Sequence, residues 1–380
     1  MHAGRHFELV TETFPPEVNG VALTVQTLLQ GLREQGHSIG LVRPRRPDEA
    51  PLPDPQLLLA ASAPIPRYPG LRFGFPTGRR LRARWMARRP DAVYIATEGP
   101  LGWSALRVCR QLGIPVATGF HTRFDDYVGR YGAAFLSSWV MAWMRRFHNR
   151  ADATLVPTRE LQAQLQTRGF QRVAVVGRGV DTRQFHPGWR CASLRRQWQA
   201  DDSTPVLLHV GRIAPEKNLG LAVRAFRALQ QQHPAARMVW VGDGPARATL
   251  QRENPDFIFA GTLRGDSLAQ HYASADLFCF PSLSETFGNV TLEAMASGLA
   301  CVAFDYGAAR EHLRDGDHGA AVPFGDEAAF VAAVATQAAR SDLREAGLRG
   351  RDAVLHLHPD LICGQFARLL SQLQDRRSAA

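Results

Sequence analysis

Residues 277–298 of this 380-residue chain read LFCFPSLSETFGNVTLEAMASG. The apolar start predicts a short buried strand, a polar loop follows it, and a helix is expected to begin near Asn289. Glu285 then lies in the loop and Glu293 inside the helix. A loop carboxylate can accept hydrogen bonds from sugar hydroxyls, a helical carboxylate can bind a ribose diol, and N–H groups at the helix start can hold a phosphate. Two glutamates beside a helix start are weak evidence by themselves, so the interpretation depends on the rest of the chain.

Two further turns follow apolar strands in the same half of the chain. GRIAPEKN, residues 211–218, places Arg212 and Lys217 beside a predicted helix start. Two cations at a helix N-terminus suit a diphosphate better than a single carboxylate, although solvated surface charges have the same pattern. GDGP, residues 242–245, contains Gly244 and is an ordinary tight turn when taken alone.

Apolar runs bounded by turn residues alternate with helix-period segments along the whole chain, which predicts parallel sheets covered by helices, an α/β fold. In the first helix Val25, Leu28 and Leu32 share one face, and Gly36 stands where a C-terminal cap is expected. The predicted strands are 7–10, 38–42, 56–60, 91–95, 114–118, 153–156, 172–176, 206–210, 238–241, 257–259, 277–280 and 301–304.

The complete string around Glu285 and Glu293 resembles the signature of the retaining GT-B glycosyltransferases of family 4. Three further segments match that family in order and spacing: 210–218, 241–245 and 259–261. The resemblance implies that Arg212 and Lys217 bind the diphosphate of a nucleotide-sugar donor. It also implies that Glu285 contacts the transferred sugar and that Glu293 contacts the ribose. The other substrate-binding positions in these segments are Gly244, Phe287, Gly288, Asn289 and Val290.

The first half of the chain is also similar to this family, closest to bacterial lipid mannosyltransferases and to sulfoquinovosyl- and glucosyl-lipid synthases. The similarity lies in TETFPPEVNGVA, residues 11–22, where Gly20 begins the first long helix and its backbone can approach the diphosphate. His121 follows a predicted strand where the family places a histidine beside the anomeric carbon, so we predict that His121 and Glu285 are catalytic. Arg123 stands where relatives more often have a carboxylate or asparagine, which leaves the acceptor open.

The family resemblance implies the GT-B architecture, two Rossmann-like domains that face each other across a deep cleft. A break in the pattern at 177–187 places the domain boundary. We expect an acceptor-binding domain at 1–187 and a nucleotide-sugar-binding domain at 188–357. A last helix within 358–380 is expected to cross back to the first domain, as it usually does in this family.

The chain carries 45 Lys and Arg against 35 Asp and Glu, a formal net charge of +10. Such a surplus suits nucleic acid, an anionic membrane or phosphorylated ligands. Eight arginines lie within 67–89, where Leu81, Trp85 and Met86 are interleaved as in a basic amphipathic helix, and 135–147 adds tryptophan and arginine. We expect a cytoplasmic protein in peripheral contact with the inner face of the cell membrane. No known nucleic-acid motif accompanies the basic residues. Core packing with a solvated basic face is the alternative.

Neither a cofactor nor a metal is expected. Asp315-Gly316-Asp317 is formally a DxD motif, which metal-dependent GT-A enzymes use, but its position after a helix favours a solvated turn. The five cysteines lie far apart and form no CxxC pair, which argues against a zinc site. Arg212, Lys217 and the helix ends would neutralise the diphosphate without a cation.

The expected activity is hexosyl transfer, with mannose from GDP-mannose as the leading donor and a membrane-associated lipid or lipid-linked glycan as the acceptor. A UDP-glucose donor, a soluble acceptor and a non-catalytic sugar-nucleotide-binding protein stay open. A nicotinamide-dependent oxidoreductase would need GxGxxG at a first βα turn, with an acidic residue about 20 positions on, and the chain has neither. An inverting GT-B transferase and a sugar-nucleotide epimerase are the nearest enzyme alternatives.

Overall fold

The structure is a computed structural model that describes residues 4–17, 20–47, 49, 54–65, 72–121, 134–285 and 287–378. At 134–138 and 376–378 it describes the backbone alone. The chain divides into two compact units: Met1–Gly177 with Pro359–Ala380, and Arg178–His358. The observed division follows Gly177. The boundary predicted from the sequence lies slightly later, after 187.

The described part of the first unit is built on a seven-stranded parallel sheet in the order β3-β2-β1-β6-β7-β8-β9, and β4 pairs with β5 in a separate antiparallel ribbon. The strands are β1 (His6–Val10), β2 (Ser38–Pro44), β3 (Leu57–Ala60), β4 (Ser62–Pro64), β5 (Arg72–Gly74), β6 (Ala92–Ile95), β7 (Val116–Gly119), β8 (Ala153–Val156) and β9 (Val173–Val175).

Helices cover both faces of this sheet because successive strand residues point to opposite sides. Phe7 of β1 lies in one core and Val10 in another. The helices are α1 (Gly20–Glu34), α2 (Gly78–Ala87), α3 (Pro100–Leu112), α4 (Ala134–His148) and α5 (Arg159–Thr167). Leu28 and Leu32 of α1 are buried against the sheet, and Gly36 has a φ of +84°, which confirms the predicted apolar face and end of α1.

The second unit contains a six-stranded parallel sheet in the order β12-β11-β10-β13-β14-β15 within the described residues. Its strands are β10 (Val206–Val210), β11 (Arg237–Val241), β12 (Ile258–Gly261), β13 (Leu277–Phe280), β14 (Ala300–Phe304) and β15 (Gly319–Val322). Leu208 of β10 faces one core and Leu207 faces the other, so this sheet is also covered on both sides.

The helices of the second unit alternate with its strands. They are α6 (Ala192–Gln197), α7 (Leu219–Gln232), α8 (Arg247–Glu253), α9 (Gly265–Ser274), α10 (Asn289–Ala296), α11 (Gly307–His312), α12 (Glu327–Ala338) and α13 (Leu343–Val354). Short 3₁₀ turns occupy Pro187–Trp189 and Pro215–Lys217. Each unit is therefore a Rossmann-like α/β fold, as predicted.

The last helix, α14 (Pro359–Ser378), is part of the first unit and packs against α1, β6 and β7. Cys363 of α14 lies directly against Gly31 of α1, where any side chain larger than hydrogen would clash with its sulfur. Among the helices described, none has both the length and the apolar character that crossing a bilayer requires.

All twelve strands predicted from the sequence are present, with ends that differ by at most two residues. Three short strands, β4, β5 and β15, were not predicted. They are three or four residues long, and β15 contains a single β-branched residue, Val322, so its sequence carries little strand signal.

Candidate functional site

The second unit joins two of the predicted site residues in an ion pair. Lys217 ends the 3₁₀ turn after β10, and Glu285 lies in the loop after the neighbouring strand β13. The Lys217 ammonium binds Glu285 Oε1, and both side chains are largely buried. Ser282 also donates to Glu285 Oε1, at 2.7 Å. The carboxyl ends of two adjacent parallel strands therefore place a cation and a carboxylate side by side.

Tyr306, which precedes α11, holds the loop that carries Glu285. Its hydroxyl donates to the Ser282 carbonyl at 2.8 Å and accepts from the Glu285 N–H at 3.1 Å. Both ends of the loop are thus fixed to one phenol. Sequence reasoning missed Tyr306 because its contacts join residues more than 20 positions apart.

Glycines allow the loops after β10 and β11 to pack together. Gly211 and Gly242 have φ values of +156° and +131°. A Cβ on Gly242 would clash with the Gly211 carbonyl, and one on Gly244 would clash with the Ile213 carbonyl. The Ile213 N–H donates to the Asp243 carbonyl at 3.0 Å. The absence of a side chain at Gly244 therefore allows its loop to pack closely against the loop that carries Arg212.

Helix α10 begins as predicted, and Glu293 lies on it. Gly288, with a φ of +92°, caps the helix, and no described side chain caps its first N–H groups. Asn289 and Val290 open the helix and are partly buried. Glu293 Oε2 accepts from the Tyr272 hydroxyl at 2.8 Å. Burial raises the pKa of Glu293, and the Tyr272 hydrogen bond lowers it in part.

Arg212 and Phe287 differ from each other in exposure. The Arg212 side chain is half exposed and pairs with Glu216 at 3.3 Å, four residues on. Phe287 is buried in the core, and its carbonyl accepts from the Ala308 N–H at 2.7 Å. Because the Phe287 ring is packed in the core, the predicted ligand contact of this residue would have to use its backbone.

The first unit places Gly20 and His121 at the carboxyl side of its strands. Gly20 is the exposed first residue of α1, and a Cβ there would meet no atom within 4 Å. His121 follows β7, and its Nε2 lies 2.5 Å from the hydroxyl of Tyr94 on the neighbouring strand β6. Sequence reasoning did not identify Tyr94.

A largely buried carboxylate, Glu12, was also missed at this edge. It lies two residues after the end of β1, and its Oε1 accepts from the Leu101 N–H at 2.9 Å, at the start of α3. Burial, together with the nearby Glu98, raises the pKa of Glu12 to about 7, although the helix N–H groups lower it. Glu98 itself lies 3.2 Å from His148 Nε2. The position of Glu12 after a strand was the available signal.

The DxD-like segment is engaged in ion pairs. Asp317 binds Arg349 at 2.6 Å, and Arg349 also binds Asp342 at 3.1 Å. Asp315 accepts from the Ala321 N–H at 3.2 Å. Among the described residues, His, Cys, Asp and Glu form no group of three or more that could hold a metal ion.

Helix α2 corrects one prediction about the basic segment. Leu81 and Trp85, predicted to face a membrane, are buried in the core of the first unit, and only Met86 of the three is exposed, at 64%. The reason is that α2 packs its apolar stripe on the sheet and α3. Four arginines on α2 or directly after it form hydrogen bonds within the protein: Arg80 with Leu59, Arg84 with Glu8, Arg88 with Ser38 and Arg89 with Leu112.

Arg79 and Arg82 lie instead on a groove of about 530 Å³ between α2, α3 and α4. Arg107 completes its basic lining, and Trp103 and Trp143 are part of its apolar lining. Among the described contacts, these three arginines have no acidic partner. Trp139, four residues before Trp143 on α4, is 68% exposed.

Several predicted positions lie outside the described residues. These are Val18 and Asn19 of the 11–22 segment, Arg67, Arg123 and Thr286, together with the side chains of 135–138.

Comparison with known proteins agrees with this geometry. A model described as Glycosyltransferase Family 4 matches residues 18–184, and one described as Glycosyl transferases group 1 matches residues 204–339. GDP-mannose-dependent alpha-mannosyltransferases of Mycolicibacterium smegmatis and Mycobacterium tuberculosis are similar over most of their length. The first is 35% identical over 97% of this chain and 98% of the relative, and the second is 36% identical over 85% of each.

Two further proteins are informative. An alpha-monoglucosyldiacylglycerol synthase of Streptococcus pneumoniae is 28% identical over 78% of this chain and 70% of its own length. The solved sucrose-phosphate synthase of Thermosynechococcus elongatus superimposes with a TM-score of 0.75, at 20% identity, over 97% of this chain and 99% of that structure. At this identity the structure shows the fold alone.

Proposed function

The chain belongs to glycosyltransferase family 4 and is a hexosyltransferase of GT-B fold, and we propose that it transfers mannose from GDP-mannose to a lipid acceptor with retention of configuration. The mannosyltransferases at 35–36% identity support this donor, and the glucosyldiacylglycerol synthase supports a lipid acceptor. A UDP-hexose donor is the alternative that a thermal-shift comparison of nucleotide sugars distinguishes, and a soluble acceptor is the alternative to a lipid.

The pair of Lys217 and Glu285 is the observation that carries the proposal. In a nucleotide sugar the anomeric carbon is bonded to a diphosphate oxygen, so a protein that binds this bond needs a cation next to a sugar-binding acceptor. The second unit supplies both at adjacent strand ends. Arg212 lies on the same loop as Lys217, and Glu293, which lies on α10, is the proposed contact for the ribose.

The chemistry follows from where charge develops. As the bond from the sugar to the diphosphate breaks, the diphosphate gains negative charge, which Lys217, Arg212 and the uncapped start of α10 stabilise. Glu285 binds hydroxyls of the transferred sugar, and His121 binds the sugar from the first unit. The acceptor oxygen bonds to the anomeric carbon on the face from which the diphosphate departs, and the leaving phosphate takes the proton of that acceptor hydroxyl.

Calorimetry with nucleoside diphosphate tests the donor site. Arg212→Ala and Lys217→Ala should each weaken binding by about 1.5–3 kcal/mol, the usual range for charge-assisted hydrogen bonds. Arg252→Ala, which removes an exposed charge from α8, is the matched control and should leave affinity unchanged. Unaltered affinity in both site variants would exclude this site.

The same cations make the transfer independent of metal in this proposal. Full activity in excess EDTA is the expected result. Loss of activity in EDTA that Mn²⁺ or Mg²⁺ restores would contradict it and would direct attention to Asp315 and Asp317.

We assign the membrane contact to the groove between α2, α3 and α4. Arg79, Arg82 and Arg107 attract anionic lipid phosphates, and the exposed Met86 and Trp139 provide apolar surface for the interface. The assignment replaces the predicted amphipathic face of α2 with its exposed arginines. We propose that this surface contacts the inner face of the cell membrane.

A further inference from the structure

The position of His121 depends on a tyrosine and a glycine that pack around its ring. Tyr94 Oη lies 2.5 Å from His121 Nε2, and the two rings meet edge to face, with centroids 6.2 Å apart. Gly119, the last residue of β7, lies between them. A Cβ at 119 would overlap both Tyr94 Oη and His121 Nε2, so only glycine leaves room for their contact.

Tyr94 is itself fixed by the C-terminal helix. Its ring is 1% exposed and contacts the ring of Phe366 on α14 edge to face, at 4.9 Å. Phe366 is equally buried, and α14 packs along β6 and β7, the strands that carry Tyr94 and precede His121. The phenol therefore has little freedom to leave the histidine.

We propose that Tyr94 is a positioning residue for transfer, held by Phe366 and Gly119 so that it fixes the orientation of the His121 ring toward the sugar. A ring with one nitrogen fixed loses less rotational freedom when substrate binds, and this pre-organisation raises the rate of the chemical step. The inference rests on the proposed role of His121.

The consequence is that a residue of α14, near the end of the chain, takes part in arranging the sugar site of the first unit. Phe366 does so through Tyr94 and contacts no substrate. A purely structural tyrosine would also be buried here, so the test has to separate packing from positioning.

The experiment compares Tyr94→Phe, His121→Ala and the double variant by steady-state kinetics, with nucleoside diphosphate affinity measured by calorimetry. Tyr94→Phe keeps the ring packing and removes one hydrogen bond, so kcat should fall roughly 2- to 10-fold. Nucleoside diphosphate affinity and the unfolding temperature should stay unchanged. In the His121→Ala background, Tyr94→Phe should have no further effect, because the group that it positions is absent.

Gly119→Ala is the second variant, and its kcat should approach that of His121→Ala when the folded protein is recovered. Equal kcat losses from Tyr94→Phe with and without His121 would overturn the inference while leaving the catalytic histidine in place. Unchanged kcat in His121→Ala would instead remove His121 from the proposed function.

Discussion

Glu285 and Glu293 are eight positions apart, but the structure gives the two carboxylates different surroundings. Glu285 is in a loop and neutralises Lys217, whereas Glu293 is on α10 and bonds to a buried phenol. We therefore expect Glu285→Gln to lower kcat about 10- to 100-fold, the loss of a charged hydrogen bond to the sugar. Its nucleoside diphosphate affinity should be unchanged or higher, since Lys217 loses its partner.

Glu293→Gln should weaken the donor and the free nucleotide together, the pattern of a uniform loss of binding. Kinetics and calorimetry on both variants measure the difference. If Glu285→Gln abolished nucleotide binding and Glu293→Gln did not, the two roles would be the reverse of those assigned.

The hydrogen bond from Tyr272 affects the pH at which Glu293, the proposed ribose contact, becomes protonated. Burial raises the pKa of Glu293, and the Tyr272 hydrogen bond opposes that rise. In Tyr272→Phe the pKa of Glu293 should therefore be higher, so the carboxylate that we propose binds the ribose becomes protonated at a higher pH. Nucleotide affinity should fall as the solution is acidified, beginning at higher pH than in the parent protein. Calorimetry across pH checks this, and a loss independent of pH, or one that persists in the Glu293→Gln background, would contradict it.

At the scale of elements, local patterns determined most of what could be predicted. Strands such as β10 and β13 are continuous apolar runs, and α1 has a regular apolar face and is followed by Gly36. Each of these elements can therefore be predicted from a short stretch of sequence. The residues that hydrogen-bond to the site residues cannot be predicted in this way. Tyr272, Tyr306 and Tyr94 contact Glu293, Glu285 and His121 from other elements, and no local spacing encodes those contacts.

Helix α2 shows why composition alone misplaced a surface. Its arginines and apolar residues have the pattern of an interfacial helix, but Leu81 and Trp85 complete the core of the first unit. The pattern of a membrane-surface helix and that of a core-packed basic helix are identical in one dimension. The folded structure distinguishes them because it buries Leu81 and Trp85 in the core.

Vesicle sedimentation tests that groove. The protein should bind vesicles containing anionic phospholipid and be released as salt rises, because salt shortens the reach of surface charges. Arg79→Ala and Arg82→Ala should each weaken binding by about 1 kcal/mol, roughly fivefold. Arg252→Ala, on α8 in the second unit, removes the same charge elsewhere and should have little effect. Equal losses in all three variants would mean that net charge, and not this surface, determines binding.

For the whole molecule, the division into two units determines how a ligand stabilises the chain. Most of the proposed nucleotide contacts, from Arg212 to Glu293, lie in the unit Arg178–His358, whereas His121 and Gly20, which is predicted to approach the diphosphate, lie in the other. A nucleoside diphosphate should therefore stabilise mainly the unit Arg178–His358. The complete nucleotide sugar offers the additional proposed contact with His121 and should therefore stabilise the protein more than the nucleoside diphosphate does.

A thermal-shift comparison of GDP-mannose, UDP-glucose and ADP-glucose identifies the donor through this linkage. A ligand at 100 times its Kd stabilises the folded state by about 2.7 kcal/mol, and a ligand that does not bind has no effect. We expect the largest shift with GDP-mannose, a smaller one with GDP, and smaller shifts with the UDP and ADP sugars. His121→Ala should narrow the difference between GDP-mannose and GDP without removing the GDP shift, because the sugar contact is lost and the nucleotide contact is kept. A larger shift with UDP-glucose than with GDP-mannose would exclude the proposed donor, although the diphosphate site would still stand.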